Sequence, residues 1–271
     1  MHDFLYALSL PPVARGLVAM AIAGFCFPAS GVMVLRLNLV PMRYMLMHGV
    51  ILGGAISLAF SLPVLPTSIL LNLLLVLLML RLKGSNSQSF SLASAAAMVF
   101  SMALASLVMH LWDVPAKDTL QLLWGSPFAL TFVDILGLTV IALVLILYLV
   151  VNFRTVSAIF FDPEIAHSLG MSVTWHYTLM VLVIALVIAF AMKLLGALLI
   201  DALLILPVMV GSKRAASLKQ LIGFSCLTGL FISTFGYVLA VATDLPPSGT
   251  IALLSALLYL APTSHKKGIA V

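Results

Sequence analysis

Nine apolar runs joined by mostly short polar connections limit what this chain can fold into. They cover residues 14–35, 42–62, 65–82, 91–112, 131–152, 174–192, 194–211, 220–243 and 249–263. A helix needs about 20 predominantly apolar residues to cross the hydrocarbon of a bilayer, and most of these runs reach that length. The runs at 65–82, 194–211 and 249–263 are short for the task. The pattern predicts eight full spans, with 194–211 a candidate for a short, broken ninth element. Only 13 Lys or Arg and 8 Asp or Glu interrupt 271 residues that are 63% hydrophobic. A soluble domain carries about a quarter charged residues, so a water-facing fold does not account for this composition. The expected fold class is an all-α polytopic membrane protein, a single transmembrane domain over residues 1–271 with no soluble appendage.

Basic residues set the orientation, because cytoplasmic connections are enriched in Lys and Arg. With Lys266 and Lys267 in the cytoplasm, alternation puts Arg36, Arg43, Arg81, Lys83, Arg154, Lys213, Arg214 and Lys219 on the same side. Arg15, Lys117 and Lys193 are left opposite. The opposite-side connections 113–118 and 244–248 carry three acids and one Lys. The N-terminus is therefore expected outside and the C-terminus inside. The same basic residues account for a pI near 9.4, and no basic stretch is interleaved with aromatics as a nucleic-acid surface would be. Residues 1–12 lack a basic leader region and a small-residue cleavage site, so no cleavable signal is expected. Cys26 and Cys226 sit in apolar runs and read as packing residues. The segment 84–89 reads as a flexible polar turn.

Two cytoplasmic connections are richer than a turn requires. In Phe161-Asp-Pro-Glu-Ile-Ala-His-Ser-Leu-Gly170, Asp162 suits an N-cap, Pro163 the first helical position and Gly170 a helix stop. Those signals spell a short surface helix that includes Glu164. The second connection, Gly211-Ser-Lys-Arg-Ala-Ala-Ser-Leu-Lys-Gln220, also reads as a short helix, with Lys213, Arg214 and Lys219 beside Ala215 and Ala216. Two readings fit both segments: ordinary connectors that obey the charge rule, or docking surfaces for a cytoplasmic partner.

The stretch Met192-Lys-Leu-Leu-Gly-Ala-Leu-Leu-Ile-Asp-Ala-Leu-Leu-Ile-Leu-Pro207 and the basic segment after it resemble the permease subunits of bacterial metal-ion ABC importers. Asp162 to Gly170 is similar to the family's Asp-Pro-Glu-x-Ala-x-x-x-Gly segment. Leu245-Pro-Pro-Ser-Gly249 is close to its outward turn, and His48 with Gly53 matches its His-x-x-x-x-Gly span. The resemblance implies a homodimeric permease in the bacterial cytoplasmic membrane. ATP would be bound by separate ATPase subunits, and metal would be delivered by an extracytoplasmic metal-binding protein. Residues 207–220 would then be the coupling helix for the ATPase, and Asp162, Glu164 and Gly170 a second cytoplasmic contact.

Two ionisable residues stand inside the apolar runs, where such groups are costly and usually functional. His48 lies beside Gly49, Gly53 and Gly54, and small residues let another helix approach. Its imidazole suits zinc and related divalent ions. A histidine hydrogen-bonded to a neighbouring helix fits the same pattern, and the resemblance favours the ion path. Relatives carry an Asp one turn earlier, where this chain has Tyr44, whose hydroxyl ionises only near pH ~10. Asp201 interrupts Leu-Leu-Ile-Asp-Ala-Leu-Leu, and a migrated acid would restore one His and one Asp on the path. A passing cation, His48 or Lys193 are its candidate partners, although Lys193 lies about 12 Å away by helix rise. A protonated Asp201 bonded to a neighbouring backbone is the other reading.

The chain contains no glycine-rich loop ending in Gly-Lys-Ser or Gly-Lys-Thr, no His-Glu-x-x-His and no Gly-x-Ser-x-Gly. It is not expected to hydrolyse ATP or act as an enzyme, and no resident cofactor is expected. The metal is cargo: zinc or manganese foremost, with ferrous iron also suited to a His and a carboxylate. The alternatives are a permease for a chelated metal and an ATP-independent secondary transporter or channel using Asp201 as a relay.

Overall fold

Lipid offers the backbone no hydrogen-bond partners, so apolar runs satisfy their own amides as helices. The protein is seen in a computed structural model that describes residues 10–82, 87–119 and 125–261. Its first helices are α1 Pro11–Arg36, α2 Val40–Ala59, α3 Val64–Leu82 and α4 Ser87–Leu111. A single 3₁₀ turn at Pro127–Ala129 precedes α5 Phe132–Val151. Two short helices follow, α6 Phe153–Phe161 and α7 Pro163–Ser168, and then α8 Val173–Leu195. The last three are α9 Ala197–Ser212, α10 Leu218–Thr243 and α11 Pro247–Leu260. Among the described residues there is no strand.

Seven of these helices are long and apolar enough to span: α1 to α5, α8 and α10. The two shorter apolar helices, α9 and α11, have 16 and 14 residues. The break expected within residues 194–211 lies at the junction before α9, where Gly196 takes φ +89°. A residue with a Cβ resists that conformation. From there α9 runs without interruption past an internal Pro207.

The helix ends follow local chemistry. At the start of α5, Thr131 N donates to Asp134 Oδ2 at 2.9 Å while Asp134 N donates to Thr131 Oγ1 at 3.2 Å. This reciprocal capping box satisfies amides that the first helical turn leaves unpaired. Ser61, Asp113 and Asp244 close α2, α4 and α10 in the left-handed region, at φ +52°, +50° and +55°. After each, a backbone amide reaches back five residues: Leu62 to Ser57, Val114 to Met109, and Leu245 to Ala240. That bond is the signature of a Schellman stop.

The chain forms two compact units. One contains α1 to Leu35, the 3₁₀ turn, α5 and the α9–α11 helices. There Pro28 lacks an amide and so leaves the Gly24 carbonyl without its helical donor. Gly229 of α10 packs its bare backbone against that carbonyl and against the Pro28 ring. Tyr237, fully buried, donates its hydroxyl to the Val13 carbonyl at 3.0 Å. The other unit contains α2, α3, α4 and α6, α7 and α8 up to Lys193. In it α2 packs on both α3 and α4, with Ile51, Leu52 and Ala55 set against Ala105 and Val108.

Two expectations change in detail. The 211–220 segment is not a short helix: α9 continues to Ser212, residues 213–217 turn, and α10 begins at Leu218. Ser217 caps α10 by accepting from Gln220 N at 3.3 Å, and Gln220 Oε1 accepts from Ala216 N at 2.9 Å. Those bonds close the turn too tightly for a separate helix. In the polar segment 84–89, residues 87–89 are the first turn of α4, while 84–86 lie outside the described residues. Lys83, Lys266 and Lys267 also lie outside them.

Candidate functional site

His48 lies in the N-terminal half of α2. Its Nδ1 lies 2.8 Å from the main-chain oxygen of Tyr44, one turn earlier. A carbonyl oxygen only accepts, so Nδ1 must carry the proton. In the neutral ring this leaves the lone pair on Nε2, the form of imidazole that binds a metal ion. A ligating histidine usually has its other ring nitrogen held in this way. The side chain is half-buried, and the nitrogen it presents is not consumed by the bond to Tyr44.

Tyr44 thus serves His48 through its backbone. Its ring is exposed and lies under the Arg43 guanidinium, 4.7 Å from the ring centroid. Asp201 lies in the second turn of α9, half-buried, and engages a polar or electrostatic partner. His48 and Asp201 belong to different units of the chain. Among the described residues no group of three His, Cys, Asp or Glu is arranged to hold an ion.

The short helix α7 forms as its residues dictate. Asp162 Oδ1 accepts from Glu164 N at 2.8 Å and Ile165 N at 3.1 Å. Gly170 stops the turn at φ +77°. Ala166 is buried beneath, while Phe161, Ile165 and Leu169 stand out at 85%, 50% and 68% exposure. Ile165 and Leu169, four residues apart on the one helix, share an apolar face, while Phe161 ends α6 on the other side of the extended Asp162. Beside α7 an open concavity of about 580 Å³ is lined by His167, Ser172, Thr174, Trp175 and Thr178.

The basic turn is organised differently. Lys213 donates its Nζ to the Tyr259 carbonyl in the last turn of α11 and sits over the Tyr259 ring, 4.4 Å from its centroid. A cation at a helix C-terminus complements the dipole, so Lys213 holds α11 in place. Ala215 is buried, whereas Arg214, Ala216 and Lys219 face outward.

Other polar residues near helix ends have local explanations. Trp112 at the end of α4 meets Phe60 at the end of α2, with ring centroids 5.1 Å apart. His110 and Asp113 flank that aromatic pair at the end of α4. Asp134 is the capping-box acid of α5. His176, between Trp175 and Tyr177 in the first turns of α8, makes a polar contact of its own.

A half-buried histidine in the second span and a capped connecting helix with exposed apolar residues are the main features of the candidate site. Residues 11–265 match the ABC 3 transport family. The chain belongs to that family. Its fold is shared with PsaBC from Streptococcus pneumoniae, solved in complex with Fab, at a TM-score of 0.81 and 23% identity. That match covers 96% of this chain and 94% of the other. The manganese import system permease protein ScaB of Streptococcus gordonii is 27% identical over 168 residues, 62% of this chain and 60% of that protein. The high-affinity zinc uptake system membrane protein ZnuB of Buchnera aphidicola is 25% identical over 219 residues, 79% of this chain and 83% of that one. An uncharacterized membrane protein of Cyanophora paradoxa is 25% identical over 245 residues, 90% of this chain and 81% of its own length.

Sequence reading missed three features of this ABC 3 family member. The Thr131-x-x-Asp134 spacing of the capping box was available but hidden at the edge of an apolar run. The Lys213–Tyr259 contact joins residues 46 apart and leaves no local signal. Asn72, fully buried in α3, is a single polar residue in a leucine-rich run.

Proposed function

We propose that this chain is the membrane permease of an ATP-driven importer that moves a divalent metal ion into the cytoplasm. The observation that carries the reading is the His48 ring, held by the Tyr44 carbonyl with Nε2 free to meet an ion. One neutral imidazole binds weakly, as a path requires, since an ion held tightly would not leave. Asp201 is the second path residue in this reading, a carboxylate set in an otherwise apolar helix. Zinc and manganese are the favoured cargo, following the named systems of the relatives, and ferrous iron suits the same ligands.

ATP is bound by partner subunits in this reading. Their main contact is the Phe161–Gly170 segment, since exposed apolar residues in an aqueous connection need a cover. Arg214, Ala216 and Lys219 on the 213–219 segment form a further contact, with Lys213 and Ala215 supporting it from within. A second permease copy completes the membrane part, and a metal-binding protein delivers the ion from outside. The orientation is that of the charge rule, with the C-terminus in the cytoplasm of a bacterial inner membrane.

Purification from the native membrane tests this assignment. An ATPase should co-purify, and metal uptake by the reconstituted complex should need ATP and survive collapse of the proton gradient. Uptake without an ATPase, abolished by that collapse, would instead establish a secondary transporter. Asp201→Ala should stop uptake while the complex stays assembled; normal uptake removes Asp201 from the path.

A further inference from the structure

Asn72 of α3 lies fully buried against the bare backbone of Gly49, the residue that follows His48. Its Nδ2 donates to the Ser68 carbonyl at 3.1 Å. Its Oδ1 meets no conventional hydrogen-bond donor among the described residues. A Cβ on Gly49 would collide with that oxygen. The glycine hydrogen occupying that direction therefore points at Oδ1, a Cα–H···O contact. One turn along, Gly53 repeats the arrangement against Ser68, whose Cα lies 2.6 Å from where a Cβ would stand.

A buried amide oxygen without a full donor is expensive, whereas an apolar side chain of equal size would fill the same space without that cost. The carboxamide is thus not explained by filling the α2–α3 seam. Its flat shape fits where the seam is tightest, directly beside His48. The imidazole has little freedom of its own, since the Tyr44 carbonyl ties it to α2. Successive residues on a helix are turned by about 100°, so any rotation of α2 at Gly49 swings His48 with it.

We propose that Asn72 is a positioning residue for His48: its carboxamide, held by the Ser68 carbonyl, keys onto Gly49 and fixes the rotation and depth at which Nε2 is presented. The inference rests on His48 being a ligand on the ion path. It predicts that disturbing the key uncouples transport from ATP hydrolysis, because the ion loses its foothold while the ATPase contact is untouched.

The test is the ratio of metal moved to ATP hydrolysed, measured on the assembled transporter in proteoliposomes with zinc and with manganese. Gly49→Ala drives a Cβ into Asn72 and should lower the ratio about tenfold. Adding Asn72→Ala makes room again and should bring the ratio back to within about threefold of wild type. Where Gly49→Ala does not assemble, Asn72→Leu keeps the volume, removes the amide and should lower the ratio by itself. A role in packing alone changes yield and thermal stability but leaves the ratio per complex unchanged, and that result overturns the proposal. A double variant as uncoupled as Gly49→Ala overturns it too. His48→Ala measured alongside separates the two ideas. Normal transport by that variant removes the reading of His48 and the Asn72 proposal together. A silent His48→Ala with neutral Gly49→Ala and Asn72→Leu removes the Asn72 proposal alone.

Discussion

The Nδ1 of His48 donates to the main-chain oxygen of Tyr44 at 2.8 Å, so residue 44 orients the imidazole with its backbone and not with its phenol. Losing a group that orients a metal-binding imidazole costs about 10–100-fold, but a side-chain change at 44 does not remove a carbonyl. Tyr44→Phe is expected to keep uptake within about threefold of wild type. Initial rates of metal uptake by the assembled transporter check this, and a loss comparable to that of His48→Ala would place the phenol itself on the path.

If α7 is the docking surface proposed above, Asp162 and Ile165 should separate folding from docking. Asp162→Ala removes the cap on two amides and should weaken the local helix by about 1 kcal/mol, while Asp162→Ser keeps most of it. Ile165→Glu leaves the cap intact but puts a charge into the exposed apolar face. It should deplete the co-purified ATPase without lowering the thermal stability of the permease. Full ATPase recovery with Ile165→Glu would move the docking surface elsewhere.

Lys213 and its neighbours should separate in the same way. Lys213→Met gives up both the bond to the Tyr259 carbonyl and the charge at the end of α11, a loss of about 1 kcal/mol. Arg214→Ala and Lys219→Ala are exposed changes and should stay within about 0.5 kcal/mol. Thermal unfolding of the three variants in detergent gives the order directly.

Asp244 occupies a left-handed position at the C-terminal end of α10. An L side chain is disfavoured there, and an acid also opposes the helix dipole. Asp244→Gly should stabilise the protein by about 1 kcal/mol. An unchanged or lowered melting temperature would mean that the carboxylate has a compensating partner.

The membrane fold was legible because lipid enforces it: run length predicts the spans. The Asp162–Gly170 helix was legible for a different reason, since its cap, its first-turn proline and its stop are all local in sequence. The same local reading failed at 211–220. Alanines and basic residues there suggested a helix, but Ser217 caps α10 and Lys213 is drawn to Tyr259, so the segment closes as a turn. His48 was visible as an ionisable residue in an apolar run, but its tautomer was not. That depends on which nitrogen meets the Tyr44 carbonyl. The Gly49–Asn72 contact was beyond reach, since pairing α2 with α3 residue by residue requires knowing how the two helices are rotated against each other.

ATP-dependent metal accumulation by the reconstituted His48→Ala transporter, with ATP hydrolysis followed in the same vesicles, tests the central claim most directly. The account predicts that accumulation of zinc and manganese falls to background while the ATPase remains bound and active. Wild-type accumulation by His48→Ala would contradict it, and would leave the imidazole as a structural group in α2.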